Sequence, residues 1–172
     1  MTQDHFSTML APDNQEQSIV WVGSVEIGTR LQRFKVIFDT GSDWLAVQGV
    51  DCDTYECTVS ERYDPDESEV SEDLNVTGKR IYGDLVMKGS EFSDLVCFGG
   101  DKCVSDFKFL AADKVKNMPA NIEGVLGLGR GPESLVKKLF LEEAIPEPTF
   151  SFYFDEEYGA FVDFGAPQEF QI

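Results

Sequence analysis

The sequence predicts a mostly-β single domain carrying one short helix, and three observations predict it. Glycines and turn residues recur about every ten positions, the apolar runs between them are short and β-rich, and one stretch alone has helical spacing. At 172 residues the chain suits one domain with its own core and is short for two, and no repeat or flexible linker divides it.

Taken in order, Ser18 to Ile27 (SIVWVGSVEI) and Gln32 to Phe38 (QRFKVIF) read as the arms of a hairpin around Gly28-Thr29-Arg30. Trp44 to Val47 continues as a strand after a tight turn at Gly41. Further strands are expected at Lys79 to Met87, at Phe92 to Phe98 and, after the Gly99-Gly100-Asp101 turn, at Val104 to Ala112. Glu133 to Glu143 (ESLVKKLFLEE) places Leu135, Leu139 and Phe140 on one helical face, with Pro132 before it and Ile145-Pro146 ending it. TFSFYF after Pro148 alternates as a strand does. An acidic turn at Asp155-Glu156-Glu157 and a closing strand at Phe161 to Phe164 complete a hairpin.

Composition narrows function by exclusion. Hydrophobic residues at 42% and aromatics at 12% describe a folded protein rather than a disordered tail. With 14 Lys+Arg against 32 Asp+Glu the formal net charge is -18, a field that repels phosphate backbones and anionic lipid. Nucleic acid and membrane surfaces are therefore not expected partners. So acidic a surface first serves solubility, and a pI near 4.2 also suits an acidic compartment. No apolar run reaches the ~18 residues a membrane-spanning helix needs. Met1 to Gln17 is polar and acidic, without the basic and apolar regions of a signal peptide, so the chain is cytosolic as written or its targeting segment has been removed.

Four cysteines fall as two local pairs, Cys52/Cys57 and Cys97/Cys103. Neither has Cys-x-x-Cys spacing and only His5 offers an imidazole, so two short-loop disulfides are favoured over a metal site. Disulfides point to an oxidising compartment. Cys97 and Cys103 flank their turn closely enough to face each other across a hairpin.

Asp39 ends the apolar run Val36-Ile37-Phe38 and is followed by Thr40-Gly41-Ser42. A carboxyl presented from the end of a buried strand loses solvent, which disfavours charge unless hydrogen bonds hold it. Thr40 and Gly41 offer a backbone donor and a tight turn, and Ser42 a hydroxyl that can orient the carboxylate. Alone, an Asp-x-Gly turn between strands is common. The neighbourhood adds more. FKVIFDTGSDWLAV resembles the active-site loop of the pepsin-like aspartic proteases, and further segments resemble that family in its own order. VDCDTYEC is similar to the small disulfide loop, closing through Cys52 and Cys57. Tyr63-Asp64-Pro65 with Ser68 resembles the Phe/Tyr-x-Pro-x-x-Ser segment, and IYGDLVMKG the flap hairpin with Tyr82 and Gly83 as its Tyr-Gly. IEGVLGLG (122–129) resembles the Asp-Gly-Ile-Leu-Gly-Leu motif that packs beneath the catalytic loop, and DFGAP the end of the first lobe. The resemblance runs from about Val20 to Pro167.

It implies a single pepsin-like lobe of orthogonally packed β-sheets with one short helix, residues 1–172 forming the amino-terminal lobe of a bilobal enzyme. The implied activity is hydrolysis of polypeptide by two aspartates that share one water, with no metal or other cofactor. One carboxylate acts as general base while its protonated partner polarises the scissile carbonyl. Coupled so closely, the two titrate as a unit. By the same resemblance Asp39 is one of the pair, Ser42 bonds to it, and Tyr82 closes the flap over substrate. The implied location is secreted or vacuolar/lysosomal.

Other residues keep simpler readings. Outside its motif Tyr82 would be a packed strand tyrosine, and Leu135 and Leu139 are core. Gly124 to Gly129 lacks the Lys-Ser/Thr of a phosphate loop. Asn75-Val76-Thr77 fits a glycosylation sequon, a triplet that also arises by chance.

Three departures from the family pattern stand out. There is no second Asp-Thr-Gly or Asp-Ser-Gly, since Asp163-Phe164-Gly165 has the wrong middle residue. Ala46 occupies the place of a tryptophan that bonds to the flap tyrosine, with Trp44 two residues earlier on what would be the same strand face. Leu85 replaces a flap glycine, so the cleft should differ in shape. Three readings follow: half of a bilobal endopeptidase whose carboxy-terminal lobe is a second chain or missing segment, a homodimer giving one Asp39 per copy, or a catalytically silent relative that binds. The first draws on the polar end at Gln168 to Ile172, placed where an inter-lobe connection would begin. The homodimer fits less well, because chains of that kind are much shorter.

Overall fold

Alternation of apolar and polar residues along the second and third strands sets the architecture. In QRFKVIFD, Phe34, Val36 and Phe38 are buried while Arg33 points to solvent, the period-two pattern of a strand with one face on a core. The computed structural model describes residues 6–15, 18–57, 60–98, 102–155 and 159–165. Within them run β1 (Phe6–Gln15), β2 (Ser18–Ile27), β3 (Gln32–Asp39), β4 (Leu45–Gln48), β5 (Glu72–Tyr82), β6 (Leu85–Cys97), β7 (Cys103–Lys116), β8 (Gly124–Gly127), α1 (Leu135–Leu141), β9 (Phe150–Asp155) and β10 (Gly159–Phe164). Three-residue helical turns lie at Tyr55–Cys57 and Pro65–Glu67.

The strands form one ten-stranded order, β5-β6-β7-β4-β8-β3-β2-β1-β10-β9. A further pairing of β6 with β2, through Cys97 with Glu26 and Val96 with Ile27, bends that order back on itself. β8 lies parallel to β3 and antiparallel to β4, and both short strands are buried at every position. Their side chains divide by parity between two apolar clusters. Leu45, Val47 and Leu126 join Phe34, Val36 and Phe109 in one; Ala46 and Val125 join Leu85, Met87 and Leu110 in the other. Each large apolar side chain fully buried here contributes about 1.5–3 kcal/mol. Leu135, Val136 and Leu139 dock α1 on the first cluster.

A mostly-β lobe with one short helix is thus what the chain forms, and both disulfides, Cys52–Cys57 and Cys97–Cys103, are present. The 18–27/32–38 hairpin and the 150–164 hairpin stand as expected. Elsewhere the boundaries move. Lys79 to Met87 is not one strand: the chain reverses at Gly83-Asp84, pairing Tyr82 with Leu85. The strand expected at Phe92 to Phe98 is the second half of the long β6. Trp44 stands before β4 rather than in it. Phe140 is 40% exposed, and Val136 takes the buried place on α1. β1 and β8 were not anticipated. His5, the Gly99-Gly100-Asp101 turn, Glu156-Glu157 and Gln168 to Ile172 lie outside the described residues.

Candidate active site

Asp39 is the last residue of β3 and lies opposite Gly127 of β8. The loop after it is hung from the end of β8. Leu128 N–H donates to the Asp39 carbonyl at 2.7 Å, Gly129 N–H to that of Ser42 at 2.6 Å, and Gly127 N–H to that of Trp44 at 2.9 Å. Gly127 must be glycine for this approach, because a Cβ there would stand 2.5 Å from Trp44 N. Both oxygens of the Asp39 carboxylate are held from within the loop. Gly41 N–H donates to Oδ1 at 2.9 Å and the Ser42 hydroxyl to Oδ2 at 2.7 Å. Thr40 is exposed and lines the neighbouring cavity described below.

Over this loop bends the β5–β6 hairpin, whose turn uses Gly83 at φ +63°. Its tip is tethered from outside: Asn117, itself at φ +63°, donates from Nδ2 to the Asp84 carbonyl at 3.0 Å. Between hairpin and loop opens a cleft of about 790 Å³ lined by Asp39, Gly41, Ser42, Tyr82, Gly83 and Leu85, with Ile37, Met118 and Val125 as its apolar wall. A second cavity of about 860 Å³ lies beside Thr40, Arg130 and Phe150 and does not touch the carboxylate. The sequence-predicted residues Asp39, Gly41, Ser42, Tyr82 and Gly83 therefore share one cleft, and the larger cavity is not it.

Tyr82 lines the cleft from the hairpin side. Its hydroxyl is buried and has no hydrogen-bond partner among the described residues. Burial pushes that hydroxyl above the ordinary tyrosine value; Arg80 opposes the shift and the Asp39 and Asp43 carboxylates add to it. Trp44 does not supply the missing partner. Lying ahead of β4, its indole is covered by the Arg80 guanidinium at 3.6 Å. Ala46 and Leu85, the other two departures, bury into the same apolar cluster, and Leu85 also lines the cleft. Sequence reasoning missed Arg80, although its position two residues before Tyr82 on a strand was the available signal.

The remaining singled-out residues lie apart from the cleft. Tyr63 and Ser68 both donate to Asp94, a carboxylate 1% exposed, at 2.8 Å each. Asn75 is exposed at a break in the β5–β6 register, with φ +55°. Asp163 is buried on β10 and accepts from the Ser7 hydroxyl. Among the described residues no cluster of His, Cys, Asp and Glu is arranged to hold a metal ion, and no helix is long and apolar enough to cross a membrane.

Comparison with known proteins fits this geometry. A family model described as eukaryotic aspartyl protease matches residues 20–171. Pregnancy-associated glycoprotein 2 of Sus scrofa is 31% identical over 157 residues, covering 86% of this chain and 37% of that protein. Aspartic proteinase A1 of Arabidopsis thaliana is 32% identical over 159 residues, 84% of this chain and 31% of its own length. Pepsin A of Gallus gallus is 30% identical over 155 residues, 84% of this chain and 42% of its own. The chain thus spans well under half the length of the curated relatives it matches. By its loop, its flap hairpin and these matches, the chain belongs to the eukaryotic, pepsin-like aspartyl protease family.

Proposed function

We propose that this chain is the amino-terminal half of an aspartic endopeptidase, supplying Asp39 to an active site that a second lobe completes. One observation carries the proposal. Asp39 has each oxygen held by a loop donor while its cleft side stays open beneath the hairpin. That arrangement suits a carboxylate that must accept a proton from water without turning away.

In the complete site, ionised Asp39 or its partner takes a proton as water attacks the scissile carbonyl. The protonated member of the pair donates to the carbonyl oxygen. Collapse of the tetrahedral species breaks the C–N bond, and the amine leaves with a proton returned from the dyad. The coverage of 37–42% in two of the relatives supports a missing second half, and the two disulfides support a secreted or vacuolar/lysosomal location.

The test is cleavage of a denatured protein at acidic pH by the chain joined to its carboxy-terminal lobe, with a pepstatin-type inhibitor as control. Cleavage lost in Asp39→Asn by about 10²–10⁴-fold supports the reading. Substrate bound but never cut favours the silent relative, which the lone Asp-Thr-Gly and the Ala46 and Leu85 departures motivate. Cleavage by a two-copy assembly of this chain alone favours the homodimer.

A further inference from the structure

β5 is an edge strand. Among the described residues only β6 pairs with it, and its residues are mostly exposed. Its end nevertheless overhangs the cleft, and among the described residues the Tyr82 hydroxyl makes no bond that would fix it there. Arg80 is placed to do so. It shares a strand face with Tyr82, and its guanidinium lies over the Trp44 indole at 3.6 Å from the ring centroid. Nη2 donates to Glu91 Oε1 at 2.8 Å, and Nη1 to the Lys79 carbonyl at 3.1 Å. The side chains of Arg80 and Glu91 are 19% and 15% exposed, so this ion pair is shielded from solvent as surface pairs are not.

Both ends of this contact are anchored. Glu91 lies on β6 opposite Leu110 of β7. Trp44 is fixed through its carbonyl to Gly127, on the strand that also holds the Asp39 loop. Gly78 leaves the space the pair occupies, because a Cβ there would stand 2.9 Å from Glu91 Oε1 and 3.0 Å from Arg80 Nη1. The chain of contacts therefore runs from central sheet to Glu91, Arg80, Trp44 and the catalytic-loop segment.

We propose that Arg80 is a positioning residue that clamps the β5–β6 hairpin over Asp39, its planar face on Trp44 and its edge on Glu91. Its consequence for cleavage rests on the reading of Asp39 as catalytic, whereas the clamp itself does not. Guanidinium is suited to the task because it bonds in its plane and stacks on its face at once, which an ammonium does not do.

The test uses the full chain. Amide hydrogen exchange is followed at Gly83, Asp84 and Leu85, with β8 as internal reference, and Trp44 emission is read in a Trp21→Phe background, since the chain has 2 tryptophans. Arg80→Met should speed exchange at the turn by about tenfold, leave β8 unchanged and shift Trp44 emission to the red. Arg80→Lys should restore less than half of the loss, and Trp44→Phe, which keeps a π-face, should lose less than Trp44→Leu. Wild-type exchange and emission in Arg80→Met overturn the clamp, as does equal acceleration in β8. Should Arg80→Met not fold, the Trp44→Phe/Trp44→Leu pair decides, and equal turn exchange in the two overturns it. On the two-lobe protein, Arg80→Met should raise KM more than it lowers kcat. If no form cleaves at all, the catalytic reading of Asp39 falls while the exchange result still decides the clamp.

Discussion

Asp39 and Asp94 are both carboxylates held by hydrogen bonds, and they sit in opposite settings. Asp94 is 1% exposed and accepts from Tyr63 Oη, Ser68 Oγ and its neighbour Leu95 N–H at 2.8, 2.8 and 2.7 Å. Two of those donors come from 31 and 26 residues away, so the carboxylate staples the segment after the small disulfide loop to β6. Asp39 draws its donors from Gly41 and Ser42, within three residues, and keeps a side open to the cleft. Hydrogen-bond number does not separate an enclosed acid from an accessible one here. The source of the donors does: a group caged by distant donors holds the fold together, and one held by its own loop is oriented while remaining accessible.

The largest effect that tests this contrast is on activity. Asp39→Asn should lower cleavage by the two-lobe protein by about 10²–10⁴-fold and leave the melting temperature of the chain nearly unchanged, because only local donors lose their acceptor. A melting point that drops as far as that of an Asp94 variant would erase the distinction. Asp94→Ala should do the reverse. It removes the acceptor from the Ser68 hydroxyl and the Leu95 N–H and one of two partners from the Tyr63 hydroxyl, which keeps Ser71, at about 1–3 kcal/mol for each group left unsatisfied. A total loss of at least ~3 kcal/mol in denaturant unfolding is the expected result. A loss below ~1 kcal/mol would show that water replaces the carboxylate at little cost.

The two sites were unequally legible in sequence, and the reasons are physical. The Asp39 loop announces itself through local chemistry: an apolar alternating strand, a two-residue turn and a hydroxyl three positions on, all within reach of one another. Tyr63 and Ser68 were noticed by resemblance, yet Asp94 was not, because its partners meet it only after β5, β6 and the 63–68 segment have packed. β8 was invisible for a similar reason. Four residues, GVLG, carry no periodicity of their own, and their strand character comes from β3 and β4 on either side. β1 was missed because Phe6–Gln15 mixes apolar and polar residues without strict alternation and carries Pro12, and pairing with β2 and β10 overrides its weak β-propensity. Trp44 was misassigned by one boundary residue. Starting β4 at Leu45 removes it from the strand face it was expected to share with Ala46, and Arg80 meets it instead.

A smaller effect belongs to Tyr63, whose ring packs edge-on to Phe109 with centroids 4.9 Å apart. Tyr63→Phe keeps the ring and removes only the hydroxyl, so it should cost about 0.5–1.5 kcal/mol. It also has a signature in pH. Burial, countered by the Ser71 hydroxyl and reinforced by Asp94, holds the Tyr63 hydroxyl above its ordinary value. A tyrosine whose folded pKa exceeds its unfolded value of about 10 contributes stability that is fully present below that pH and is lost as pH rises toward the folded value. The wild-type chain should therefore lose stability above about pH 10, and Tyr63→Phe should lose less over the same range. Parallel unfolding curves of the two proteins from pH 8 to 11 would contradict this.

Tyr82→Phe should show the smallest change in stability, and there lies its use. Tyr63 and Tyr82 are both partly or fully buried tyrosines with raised hydroxyls, but Tyr63 Oη has two partners and Tyr82 Oη has none among the described residues. Removing a buried hydroxyl that bonds to nothing relieves an unsatisfied group, so the chain should be unchanged or stabilised by up to ~1 kcal/mol. Should the hydroxyl find its partner only in bound substrate, kcat/KM of the two-lobe protein will fall while the unfolding curve stays put. A destabilisation above ~1 kcal/mol in the chain alone would mean that the hydroxyl already has a bond in the folded lobe, and that the hairpin is held at Tyr82 as well as at Arg80.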